Sequence, residues 1–245
     1  MPRLPCHVPW ISIALAMATA ACAPSALRPS AEAQAAPRAA ETPVAVADGV
    51  VADRARGEVR VRAEVACNQG WLEQAVCARG TRDHESLLVI GAPASSVHAA
   101  MLLIGFEPGA PGSWREAPGT PGGIERVLPA GPGVELWVRA GGREVPLSSW
   151  IADPGRGRRF EEHPWVFAGS RMRARRNGSG HDYAADRSGS IVGIVTFGDE
   201  VVAFREVVPD RTDVAEPQWQ ARTDAMPASG TAVELVIKVP KGGTA

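Results

Sequence analysis

In Val134-Glu-Leu-Trp-Val-Arg139, an aliphatic side chain recurs at every second position. Successive side chains of an extended chain point to opposite faces, so Val134, Leu136 and Val138 share one face. Glu135, Trp137 and Arg139 share the other. This pattern suits a half-buried strand and no helix. Outward from it, Val59–Val65, Leu87–Ile90, Trp165–Ala168, Ser190–Phe197, Val201–Phe204 and Ala232–Val239 read as further strands. One helix interrupts them, near 94–104. Pro93 stands at its first turn and Gly105 just past its end, the usual start and stop asymmetry. Its apolar stripe is Val97, Ala100, Met101 and Ile104, with His98 at the boundary. Pro108–Gly133 is thick with Gly and Pro and reads as irregular loop. The expectation is a β-dominated α+β single domain over 57–240.

Two segments precede that domain. Residues 1–21 carry Arg3 and then a short apolar run, Val8–Ala21, which suits a signal-peptide core rather than a membrane span. Small residues before Cys22 resemble the end of a bacterial lipoprotein signal, whose cysteine is lipidated and becomes the new N-terminus. Ordinary cleavage after Ala18-Thr19-Ala20 is the alternative. Residues 22–56 are rich in Ala and Pro, lack aromatic residues and read as a disordered tether. Together these imply export to a bacterial periplasm or cell envelope, with membrane attachment through Cys22.

Net charge is −1, which gives no electrostatic case for nucleic-acid binding. The cluster Arg171-Met-Arg-Ala-Arg-Arg176 reads as a solvated loop. Beyond the leader, the cysteines of the folded domain are Cys67 and Cys77. In an oxidising compartment two such cysteines usually pair, and closing a loop of about eleven residues stabilises by about 3 kcal/mol. The alternative is a zinc or copper site built on Cys67, Cys77 and His84, although this spacing matches no standard ligand pattern.

The segment between the second cysteine and the following strand is crowded with polar groups: Arg79, Thr81, Arg82, His84, Glu85 and Ser86. Either they satisfy one another around a tight connection, or they form a polar pocket with Trp165 as an apolar wall. No G-x-S-x-G elbow, H-E-x-x-H helix or phosphate-binding glycine loop is present. His84 and Glu85 could act together only if a turn intervenes before Ser86, since neighbours on a strand face apart. Ser170 reads as part of a plain turn and His181-Asp182-Tyr183 as part of a surface hairpin.

Several stretches resemble the YdjY-type domain family of exported bacterial proteins. They are Cys77-Ala-Arg-Gly-Thr-Arg-Asp-His-Glu-Ser-Leu-Leu-Val89, Val97-His-Ala-Ala-Met-Leu-Leu-Ile-Gly105 and His163-Pro-Trp-Val-Phe-Ala-Gly-Ser170. Tyr183-Ala-Ala-Asp186 and Pro227-Ala-Ser-Gly-Thr-Ala-Val-Glu-Leu-Val236 continue the match over roughly 57–239. The resemblance implies a mixed α/β domain behind an export signal and carries no activity with it. Between Phe197 and Ala225 the chain departs from the family pattern, with Arg205-Glu-Val-Val-Pro-Asp-Arg and Gln218-Trp-Gln in place of an Asp-Leu-Pro turn and a Ser/Asn pair. Two functions follow as expectations. One is a non-catalytic envelope domain, without cofactor, that binds a protein or small ligand. The other is a metal-binding or redox protein using Cys67, Cys77 and His84.

Overall fold

The alternation around Val134 is realised in an eight-residue strand whose Val134, Leu136 and Val138 are buried while the residues between them are not. The computed structural model describes residues 42–175 and 178–240; the expected signal sequence, Cys22 and Arg176 lie outside these residues. In chain order the main elements are β1 (Val44–Ala47), β2 (Val50–Asp53), β3 (Glu58–Val65), β4 (Gln74–Ala78), β5 (Ser86–Ile90) and α1 (Ala94–Leu103). They continue with β6 (Gly133–Ala140), β7 (Trp165–Phe167), α2 (Ala184–Ser188), β8 (Ser190–Gly193), β9 (Val202–Phe204) and β10 (Ala232–Lys238).

Eight of these strands close into a barrel in the order β3-β10-β6-β7-β9-β8-β4-β5, with β5 returning to β3. Neighbours are antiparallel except β4/β5 and β8/β9, which run parallel. Closure depends on two long strands that each divide one edge between two partners. The first half of β3 pairs with β2 and its second half with β5, while β10 runs along its whole other edge. In the same way β6 pairs with β7 at its start and with the short strand Arg143–Pro146 at its end.

An eight-stranded barrel is just wide enough to be filled by side chains. Here Val59, Val61, Leu136, Val138, Leu235 and Ile237 are fully buried within one core cluster. Each such burial contributes about 1.5–3 kcal/mol. Helix α1 adds Ala94, Val97, Ala100 and Met101 to the same core. On the outer surface, where polar residues of neighbouring strands meet, Arg139 bonds Glu144 (2.6 Å), Glu234 (2.9 Å) and Glu58 (3.3 Å).

Three expectations need correction. The tether does not extend to 56: β1 and β2 form an antiparallel ribbon on β3, because Val50 and Ala52 find a buried place against it. Pro108–Gly133 is not wholly irregular, since Ser113–Glu116 and Ile124–Val127 pair in a hairpin. The strand beginning at Ser190 ends at Gly193 rather than Phe197. Beyond it the backbone turns to other partners, with Ile194 and Val195 both donating to the carbonyl of Glu73 (3.0 and 2.9 Å) and Thr196 to that of Val208 (2.7 Å).

Candidate functional site

Because β4 and β5 are parallel, the chain must travel back the length of the strand between Arg79 and Glu85. Asp83 organises that return. Its carboxylate accepts from the backbone N–H of Gly80 (2.9 Å) and of Thr81 (3.2 Å), and Asp83–Glu85 closes as one turn of 3-10 helix. This is the turn His84 and Glu85 need to approach each other. His84 Nε2 lies 3.4 Å from Glu85 Oε1, with the imidazole largely exposed.

The other expected residues divide. Thr81 Oγ1 donates to the Ala78 carbonyl (2.6 Å) and Ser86 Oγ to that of Arg82 (2.8 Å), so both hydroxyls complete the backbone of the return. Thr81 also packs on Gly189, which holds φ +77° and where a Cβ would fall 2.2 Å from Oγ1. Arg79 pairs with Glu64 at 3.0 Å. Trp165 is in the barrel core against Phe160 and Phe204. His84 and Glu85 are brought together, while Arg82 reaches Glu73 (2.8 Å) instead.

The expected Cys67–Cys77 disulfide is not formed: both are free thiols. The residues between them do not form a simple loop, because they include the barrel strand β4, whose pairing to β5 and β8 fixes where Cys77 points. Each sulfur instead meets the return turn. Cys67 Sγ donates to the carbonyls of Asp83 (3.4 Å) and His84 (3.2 Å), and Cys77 Sγ lies 3.7 Å from Asp83 Oδ1. Burial pushes both thiols above their ordinary range, which keeps them protonated and poorly reactive. Cys67 meets the carbonyl of His84 while its ring turns to Glu85, so the three expected metal ligands do not converge. Among the described residues no group of three or more His, Cys, Asp or Glu side chains could hold a metal ion.

The residue that gathers a site is Glu73, just before β4. Its backbone N–H donates to the carbonyl of Glu85 (3.0 Å), while its own carbonyl receives Ile194 and Val195. Beside it, Gly70–Leu72 lies against Trp219–Ala221: Leu72 N–H donates to the Trp219 carbonyl (2.9 Å) and Ala221 N–H to that of Gly70 (3.0 Å). These bonds bring four distant parts of the chain to one cleft of about 220 Å³, lined by Trp71, Leu72, Glu73, Glu85 and Val195 on one side and by Val208–Arg211 and Ala215–Trp219 on the other. Trp71 is 47% exposed at its edge, an unusual position for a side chain of that size. Trp219 divides the cleft from the core. It stacks edge-on to Phe160, and its indole Nε1 has no acceptor among the described residues.

In the cleft the Glu73 carboxyl lies beside that of Glu85. Burial, followed by that contact and the Glu85 charge, pushes Glu73 up to about 7. Arg82 opposes the shift, bonding Glu73 Oε2 at 2.8 Å while its guanidinium lies 3.6 Å over the Phe197 ring. The opening segment is braced from outside by the 113–127 hairpin: Trp114 Nε1 donates to Asp210 Oδ1 (3.0 Å), and Arg211 is held between Glu116 and Asp213.

Trp71, Glu73 and the Val208–Trp219 wall were not anticipated from the sequence. The usable signal was Trp71 followed two residues later by a carboxylate in a polar segment, with a second isolated tryptophan at 219. The profile of the YdjY domain family matches residues 50–238, which include every residue of the cleft. No curated protein and no solved structure matches the chain.

Proposed function

The chain belongs to the YdjY domain family, and from that premise we propose that it is an exported, envelope-attached domain that holds a small ligand in the Trp71–Trp219 cleft without transforming it. The observation that carries this reading is the cleft's composition. Apolar walls surround a few convergent polar groups, one of them a carboxyl with a strongly displaced proton affinity, as small-molecule sites do. Export and attachment rest on residues 1–22. If Cys22 carries a lipid, Ala23–Pro43 separates it from β1 and leaves the cleft free to meet solutes at the membrane surface. Among the described residues no helix is long and apolar enough to cross a membrane.

Binding is favoured over catalysis for two reasons. Arg82 already occupies Glu73 Oε2 at 2.8 Å, so that oxygen is not free to act as a base. The hydroxyl in the most constrained backbone, Ser170 at φ +56°, donates to the Asp199 carbonyl (2.6 Å) rather than to a base.

A fragment screen on the full chain, followed through the tryptophan indole N–H resonances, tests the reading. The Trp71 signal is identified by its absence in Trp71→Phe. Binders that move that signal, and that are lost in Trp71→Ala with the fold intact, are expected. Binders that move only other indoles would place the ligand site elsewhere.

A further inference from the structure

The charges around the cleft are unbalanced. Its lining carries four carboxylates, Glu73, Glu85, Asp210 and Glu216, against one guanidinium, Arg211. Arg211 is already taken, held between Glu116 and Asp213. Arg82, which does not line the cleft, bonds one oxygen of Glu73 at 2.8 Å. What remains is two carboxyls, Glu73 and Glu85, lining the same cleft as the half-exposed Trp71, with the His84 imidazole 3.4 Å from Glu85 Oε1.

From this juxtaposition, and resting on the ligand-binding reading above, we infer that the cleft takes a small organic cation, its ammonium group set between the Glu73–Glu85 pair and the face of Trp71. An ammonium group is attracted both to paired carboxylates and to the negative face of an indole. Anions are repelled by the same four carboxylates. A neutral, hydroxyl-rich ligand could stack on Trp71 but would leave the repulsion between Glu73 and Glu85 unrelieved. The same half-buried region already holds one cation over an aromatic ring, Arg82 on Phe197. The apolar walls Val208, Pro209 and Ala215 suit an alkyl substituent on the nitrogen.

Glu73 shares its proton with this arrangement, which gives the inference a signature that simple stacking lacks. When a cation enters at slightly acidic pH, Glu73 should release its proton to the buffer as the ion pair forms. At pH 8, where it is already mostly ionised, no proton should leave.

The test is calorimetric titration of the full chain with choline, with butylammonium and with the uncharged tert-butyl analogue of choline. Each is run at pH 6.5 and pH 8 in buffers of different ionisation heat. The expected result is binding of the two cations at least about tenfold tighter than the neutral analogue, with proton release at pH 6.5 only. Trp71→Ala and Glu73→Gln should each weaken the cations by about tenfold, and Glu73→Gln should abolish the proton release. Neutral analogue and cations binding equally, or cation binding without proton release, overturns the inference while leaving a ligand cleft in place. Failure of all three probes to move the Trp71 indole, together with an empty fragment screen, overturns both.

Discussion

Glu73 receives conflicting instructions from its neighbours: Arg82 favours its charge, while burial and Glu85 oppose it, and the opposition wins. Its proton affinity is therefore higher folded than unfolded. The stability this carboxyl contributes is complete below its ordinary value near 4.5 and is lost as the pH rises through about 7. Full burial of such a shift would correspond to about 3 kcal/mol. The side chain is part-exposed, and solvent screening reduces this to about 1 kcal/mol. Thermal melts of the full chain should thus fall by about 2–4 °C more between pH 5.5 and pH 8 than melts of Glu73→Gln. An identical pH dependence in the variant would refute the assignment. The thiols make a second residue-scale prediction. With Cys67 and Cys77 unpaired, reductant should leave the melting temperature unchanged, and a mild alkylating agent should label half-buried Cys67 well before fully buried Cys77. A fall of several degrees in reductant would show that the pair closes after all.

Among the elements, the 113–127 hairpin lies outside the barrel yet fixes the wall of the cleft through Trp114 and Glu116. Trp114→Phe removes the Asp210 bond and keeps the ring. It should weaken ligand binding several-fold while changing stability by less than about 1 kcal/mol, as expected for an exposed hydrogen bond. Equal affinity in the variant would mean that the wall holds itself. Element by element, the sequence was most legible where one face meets water, as in β6 and α1. It was least legible at β4, where Gln74, Ala75, Val76 and Cys77 are all buried and no alternation survives. The ribbon β1/β2 was hidden differently. Its Ala-rich composition reads as disorder, and only pairing to β3 gives Val50 and Ala52 something to pack against. The cleft was illegible for a third reason: its residues come from two distant stretches of the chain, 71–85 and 195–219, and the backbone bonds of Glu73 that unite them leave no local pattern.

At the scale of the whole molecule, the barrel has every strand held on both edges, while β1 and β2 are an appendage sharing half an edge with β5. That asymmetry has a mechanical meaning. Tension drawn along the chain from its N-terminal side reaches β1 first, then β2, and only afterwards a closed ring of strands. Stretched between its ends in single-molecule extension, the domain should show a small early lengthening as the ribbon peels away. The larger rupture of the ring, and with it the loss of the cleft, should come only at higher force. The ribbon would act as a slack-taker, so that a domain pulled from its N-terminal side keeps the cleft intact.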